Sequence, residues 1–469
     1  MRFSLPSTRD LQGFLPTYMA KASIKRKLLR TGIVLVCLFI PLLLWRLWLV
    51  FAVDSQLKVL RTAGLPTNGD ELNKWYAAVP DAENAALILK NAFDLRRNYS
   101  DSRSNLVRNF KLPPRGVKLS SDQTELLAGY IELNAAALAK AEEALRLPGS
   151  RYPIDCSMGS QTPLPHLAQL KNLAEINQYK AELAATNGDT REVARAIASI
   201  LGLARTLDKE PTLISELVRL RIVSAAVATL ERGLNHGLNF GQMTNLPGLL
   251  APAAHVNGLT NALIGERAMI APYFRISRYE NPSMYAPLKD GEGDTKDILQ
   301  RGDWGMLKLI GYYEMDLGQF LFTMRNVIEL ASADSPDYLE IDKHFVRAAA
   351  ASRKKRRNLS ASLFLNYVYA GAREGDILAR LRLAITALAL ENFRTKNGRL
   401  PDKLGDLKPE FLAEIPDDPF AGTELLYRRL PKGYVIYSIG RDLMDDGGKE
   451  PPENPRGNDR CDVTFTVER

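Results

Sequence analysis

Cysteine and histidine are scarce in this chain of 469 residues, three of one and four of the other. Three cysteines do not make a disulfide framework. Cys37 falls inside an apolar run and reads as a small hydrophobe. Cys156 and Cys461 read as separate free thiols, with a pairing left open for a body outside the cytoplasm. The histidines, His166, His236, His255 and His344, are widely separated, and none has the spacing of a metal-binding pair. Each is expected at a helix surface or half-buried. The chain also lacks a G-x-S-x-G elbow, a P-loop and a C-x-x-C pair. Aromatic residues make up only 8% of it. Neither of its basic clusters, around residues 21–30 and 353–357, is interleaved with them. A base-stacking surface needs that interleaving, so no nucleic-acid partner is expected despite a net charge of +8. These absences leave no catalytic residue and no organic cofactor to assign, and a non-enzymatic role is the first expectation.

One long hydrophobic run is present. Residues 31–53 read TGIVLVCLFIPLLLWRLWLVFAV, with Arg46 as the single charge. As a helix this run measures about 35 Å, against a hydrocarbon core of about 30 Å. Arg46 lies past its middle and is expected to snorkel toward the far headgroups, with Trp45 and Trp48 as an interfacial belt. Pro41 is a candidate kink. Lys21, Lys25, Arg26, Lys27 and Arg30 precede the run and Asp54 follows it. The positive-inside rule then puts residues 1–30 in the cytoplasm as a basic tail and the body outside. A cleaved signal peptide is the rival reading; the long leader and Arg46 favour an uncleaved anchor.

Residues 54–373 read as an irregular array of α-helical hairpins, without a sustained 34-residue period. One helix is expected to end at Asn187-Gly188, and the next to begin at Asp189, with Glu192 three residues on. Val193, Ile197, Leu201 and Ala204 would share its buried face, and Thr212 would cap the helix after that. Residues 100–118 and 277–294 read as loops. Glu266 and Arg267 read as an ordinary surface or inter-helix ion pair. "RGDW" at 301–304 is a chance match, and the run Arg353, Lys354, Lys355, Arg356 and Arg357 is taken as a solvated helix face.

Residues 374–469 change character. A helix over 376–396, ended by Asn397-Gly398, is followed by LLYRRL, a turn at Pro431-Lys432-Gly433, YVIYSIG, and finally DVTFTV. That pattern predicts a small α+β module with an antiparallel sheet. Val463, Phe465 and Val467 would face the helix, with Thr464 and Thr466 outward. The expected fold class is thus mainly α: a transmembrane helix, a helical hairpin array and this module.

The order ALALENFRTKNGRLPDKLGDL, IPDDPFAGTELLYRR and GYVIYSIGRDLMDDGG resembles the C-terminal part of the major pseudopilin of type II secretion systems. The likeness covers residues 376–469, and the whole arrangement resembles uncharacterised single-anchor bacterial envelope proteins. The anchor departs from the pseudopilin pattern: five residues after Gly32 stands Cys37, where that family has glutamate. The resemblance implies a structural calcium in the last loop. The matching positions are Asp442, Asp445 and Asp446, with Asp459 or Asp462 from the following segment. Calcium takes six to eight oxygens, and a glycine-rich loop can supply carbonyls beside carboxylates. The plainer reading is a solvated acidic turn neutralised by Arg441 and Lys449. The functional expectation is a membrane-anchored envelope protein, periplasmic in its body, that binds a protein partner. A component of type II secretion or pilus assembly is the second reading, and a hydrolase with a site in the helical body the third.

Overall fold

The computed structural model describes residues 14–240, 246–254, 257–276, 310–355, 358–450 and 461–469. It is mainly helical, with one small antiparallel sheet near the C-terminus. The chain divides into two compact units, Met1–Val59 with Phe274–Gly318, and Leu60–Tyr273 with Gln319–Arg469.

The first unit is built on α1 (Phe14–Thr62), which runs unbroken through Pro41. Its stretch Lys27–Thr62 is long and apolar enough to cross a membrane. Large apolar side chains stand exposed from Leu28 to Trp48, among them Ile33, Leu38, Phe39 and Leu44, whereas Leu49 and Val53 are buried. Helix over 28–48 measures about 31 Å, matching a hydrocarbon core of about 30 Å. This is consistent with a membrane anchor. Arg46 departs from the snorkelling expectation. Its Nη1 lies 2.7 Å from Glu314 Oε2, and its Nη2 donates to Glu314 Oε1 at 3.0 Å. A carboxylate supplied by the same unit neutralises the charge where it stands, so no reach to headgroups is needed. Trp45 Nε1 donates to the Ile310 carbonyl at 3.2 Å, and the Trp45 ring stacks on Trp48 at 5.2 Å. A side chain at Gly311 would collide with Leu49 and Arg46, so glycine lets the 310–318 backbone lie against the helix.

The second unit opens with α2 (Gly69–Trp75), α3 (Ala85–Leu95), α4 (Arg103–Arg108), α5 (Ser121–Leu133) and α6 (Ala135–Leu145). The loop expected at 100–118 therefore contains a short helix. Next come α7 (Pro165–Thr186), α8 (Thr190–Arg205) and α9 (Leu213–Asn235), packed in sequence as antiparallel neighbours. Their boundaries follow local chemistry. Asn187 caps α7, Gly188 turns left-handed at φ 77°, and Asp189 accepts from the Glu192 amide to start α8. Thr212 Oγ1 accepts from the Ser215 amide and starts α9. Val193, Ile197, Leu201 and Ala204 are buried along one stripe of α8. After α10 (Leu246–Ala253), α11 (Gly258–Ile270) and the short α12 (Tyr273–Ile276), the 277–294 loop and RGDW lie outside the described residues, as do His255, Arg356 and Arg357.

The chain continues through α13 (Tyr312–Ala331), α14 (Tyr338–Lys354), α15 (Asn358–Tyr367) and α16 (Ala370–Asn397). The last of these begins earlier than the sequence pattern suggests. Asp342 of α14 accepts from the amides of Gly371 and Ala372, at 2.9 and 3.0 Å, so a neighbouring helix supplies the N-terminal cap. Gly398 ends it in the left-handed region. Three strands follow, β1 (Leu426–Leu430), β2 (Gly433–Ser438) and β3 (Val463–Glu468), paired antiparallel in the order β1-β2-β3. Tyr434 stands opposite Val467 and Ile436 opposite Phe465. Val463, Phe465 and Val467 join Ala384, Ala387 and Leu388 of α16 in the apolar core. That core is continuous from Ala85 to Val467.

Thr464 and Thr466 do not point to solvent as the alternation suggests; they are 9% and 5% exposed. The end of α9 packs on β3. Asn235 Nδ2 donates to the Thr466 carbonyl at 2.8 Å, and its Oδ1 accepts from the Glu468 amide at 2.9 Å. One side-chain amide thereby does for the edge strand what a further strand would do. Asn235→Ala should strip partners from two β3 backbone groups and cost about 1–3 kcal/mol. Urea unfolding of the detergent-solubilised chain, followed by circular dichroism, checks this; an unchanged midpoint contradicts it.

Candidate functional site

A cavity of about 470 Å³ opens between α6, α8 and α10 over the side of α9. Leu145, Leu201, Val223, Leu249 and Pro252 give it an apolar surface. Asp208 and Arg219 are set into its wall, and Glu142, Arg146 and Arg205 also line it. A side chain at Gly202 would press on Leu145 at about 3.0 Å, so glycine keeps α8 close to the end of α6.

Behind this wall lies a buried charge cluster. Glu216 and Arg219 are three residues apart on α9 and share a face. Arg219 is 1% exposed. Its Nε donates to Glu216 Oε2 at 2.9 Å, its Nη2 to Oε1 at 2.6 Å, and its Nη2 also to Glu374 Oε1 of α16 at 3.4 Å. Burial works against the Arg219 charge, but Glu216 and Glu374 outweigh it and hold the guanidinium protonated. Burial, and then the Glu216 charge, push the Glu374 carboxyl well above the usual range. Asp208 is pushed up to about 6, chiefly by burial, with Arg219 pulling the other way. The cavity therefore offers an apolar surface, the fixed cation of Arg219 and a carboxyl, Asp208, that exchanges its proton near neutrality, beside Glu142, Arg146 and Arg205. That suits recognition of an apolar group carrying a charge. The two glutamates sit behind Arg219 and do not line the cavity.

Sequence reasoning did not find this site. Its signal was present as an acid and an arginine at helical spacing, Glu216 and Arg219, just after the DKEP turn that carries Asp208. Only the tertiary packing, which brings Glu374 from a distant helix, gives the pair its meaning.

Other candidates resolve into structural pairs. His166 is buried, not at the surface or half-buried as expected, whereas His236 is half-buried as a residue with its ring enclosed. His166 Nε2 lies 2.9 Å from Glu210 Oε1, and its ring stacks on Tyr152 at 4.0 Å. Ser215 Oγ donates to the same Glu210 at 2.5 Å. The carboxylate stands between serine and histidine, so this is not the order of a nucleophile–base relay. His236 pairs with Glu182 at 3.0 Å. Glu266 and Arg267 do not pair with each other as expected. Glu266 accepts from the Leu213 amide and the Tyr367 hydroxyl, at 3.1 and 3.2 Å, while Arg267 donates to the Pro66 carbonyl at 3.4 Å. The three cysteines are free thiols. Burial pushes the Cys156 thiol up to about 11, which makes it a poor nucleophile.

The acidic loop between β2 and β3 is organised by its own carboxylates. Asp462 is 2% exposed. It accepts from the amides of Gly448 at 2.7 Å, Lys449 at 3.2 Å and Asp446 at 3.4 Å. Asp445 accepts from the Gly447 amide at 2.8 Å, and Asp442 from Met444 at 3.2 Å. Asp446 Oδ2 is buried and has no hydrogen-bond partner. Asp459 lies outside the described residues. Among the described residues no three acidic, histidine or cysteine side chains converge to hold an ion. Arg441 does not neutralise the loop. It grips Asp376 of α16, with Nε 3.1 and 3.0 Å from the two carboxylate oxygens.

Comparisons of the chain with protein-family models, with curated proteins and with solved structures found no match.

The charge cluster makes an asymmetric prediction. Arg219→Met leaves Glu216 buried without its cation and should cost about 3–5 kcal/mol. Glu374→Gln acts on a carboxyl that burial and the Glu216 charge push toward its neutral form, and should cost less than Arg219→Met. Denaturant midpoints of the two variants, measured side by side at pH 7, test the ordering; equal losses contradict the protonation assignment.

Proposed function

We propose that this chain is a non-enzymatic, membrane-anchored envelope protein, inserted once through the exposed helix over 28–48. In this reading its N-terminus is cytoplasmic and its body extracytoplasmic, as the basic residues before the span favour. The body docks an amphipathic helical segment of a protein partner in the apolar cavity between α6, α8 and α10. That cavity is the observation that carries the reading, because Leu145, Leu201 and Leu249 can receive an apolar stripe while Asp208 and Arg219 meet a charge. The likeness of residues 376–469 to major pseudopilins makes the secretion and pilus-assembly machinery the first place to seek the partner. A hydrolase is the alternative, favoured by the carboxyl of Asp208 with its raised proton affinity.

Photo-crosslinkers placed at Leu249 and Ser199 should capture a partner in whole cells, and Ala198→Trp, which fills the cavity, should reduce capture at least ten-fold. Equal capture from a crosslinker at exposed Glu132, on α5, would remove the docking role.

The same proposal gives the acidic loop a structural calcium, supported by the buried, unpartnered Asp446 Oδ2 and by the crowding of Asp445 near Asp462. Calcium supplies positive charge there and performs no chemistry. Millimolar calcium should raise the thermal midpoint of the purified chain by a few degrees. Asp446→Asn should abolish the rise, and magnesium at the same concentration should not reproduce it. A midpoint indifferent to calcium removes the ion.

A further inference from the structure

A second, smaller groove lies on the other side of α9, against α16. It encloses about 200 Å³. Leu217, Leu220, Arg221 and Ser224 line it from α9, and Arg373, Asp376, Ile377 and Arg380 from α16. Each set follows the spacing i, i+3, i+4, i+7, so each helix gives one stripe to the groove. The leucines and Ile377 are its apolar lining. Three guanidinium groups stand around it.

The electrostatics of this groove differ from those of the paired arginines that α9 carries or receives. Arg115 pairs with Glu231 and Glu450, Arg232 with Glu182, and Arg219 with Glu216 and Glu374. Arg221, Arg373 and Arg380 form no ion pair and no side-chain hydrogen bond among the described residues. Asp376, the single carboxylate in the groove, is already gripped by Arg441. Glu231 feels the charge of Arg380, but its carboxylate is held by Arg115 and the Thr466 amide. Three cations thus remain around a small concave space, with the hydroxyl of Ser224 beside them.

The geometry points to a site for a phosphoryl group in this groove. The volume is below the roughly 300–1,000 Å³ of pockets that enclose a drug-sized ligand, so it takes a headgroup or a small phosphomonoester. The arginine fork matches the oxygens of phosphate. A carboxylate brings one negative charge and a plane that one or two forks fill. A phosphomonoester brings about two charges and three terminal oxygens, which three guanidinium groups can approach from different sides. The leucines and Ile377 would receive the carbon chain that carries the phosphate. The inference stands apart from the docking cavity and from calcium, since it uses neither set of residues.

Binding is measured on the full chain in lipid nanodiscs at constant ionic strength. Inorganic phosphate and glycerol 3-phosphate are titrated calorimetrically, with acetate as the carboxylate comparison. In parallel, thermal midpoints are compared between nanodiscs of phosphatidylcholine alone and nanodiscs containing phosphatidic acid, whose headgroup is a phosphomonoester. Heat from the soluble phosphates identifies a free phosphomonoester site. Stabilisation by phosphatidic acid alone identifies a lipid headgroup as the source. In either case the Arg373→Gln/Arg380→Gln double variant should weaken the effect at least ten-fold. Its ligand-free midpoint should hold or rise, because it removes repulsion between like charges. Should that variant unfold, exposed Arg221→Gln carries the same test. No response to any phosphate probe, a response the variants do not reduce, or acetate binding as tightly as phosphate overturns the assignment.

Discussion

A helix buried on several sides must not leave a charge unmatched, and α9 is the helix on which this constraint falls. It packs against α7, α8, α11, α16 and β3, yet it carries Glu216, Arg219, Glu231, Arg232 and Asn235. Each is matched, within the helix or by a neighbouring element. Glu374 of α16 completes the Glu216–Arg219 pair, and Glu182 of α7 receives Arg232 at 2.6 Å. Glu231 accepts from Arg115 at 2.6 Å and from the Thr466 amide at 2.8 Å. Asn235 closes the edge of β3. Buried ionic groups stabilise little by themselves, but breaking one leaves its partner stranded at high cost. The positions of α7, α16 and the sheet around α9 are therefore tied to specific residues, where an all-apolar helix would tolerate rotation and slippage.

Local elements were legible where local chemistry decides them. Glycines after α7 and α16 and the Asp189 and Thr212 caps depend on residues a few positions apart. What could not be read depends on long-range partners. The early start of α16 is set by Asp342, and the inward Thr466 by the end of α9. The histidines illustrate the same limit. His166 and Glu210 are 44 residues apart in sequence, so no spacing rule connects them. The cavity escaped for the same reason, since its lining comes from four helices, α6, α8, α9 and α10. In the acidic loop the sequence singled out aspartates as calcium ligands, whereas the backbone amides that Asp445 and Asp462 accept, which account for the loop's shape, carry no signal in spacing.

The anchor helix carries a related lesson about charge. A lone arginine in an apolar run reads as a costly group that must reach water. Glu314 changes that account, because a paired charge needs neither headgroups nor a long reach. The burial of Leu49 and Val53, just beyond Arg46, marks where protein replaces a bare apolar surface along the same helix. Apolar sequence extends to Val53, so hydropathy alone sets the boundary later than the packing does.

The two grooves beside α9 differ in a way that depth explains. Arg219 and Arg221 are two residues apart, about 200° around the helix axis, and so serve opposite sides. Arg219 is 1% exposed and could not stand without its glutamates, since water is unavailable to solvate it. Arg221 is exposed, and water replaces the missing carboxylate at little cost. An unmatched guanidinium is therefore tolerated only on the outer side, where a ligand can still displace the water. Burial decides which arginines of this helix hold the fold together and which remain free to meet something else.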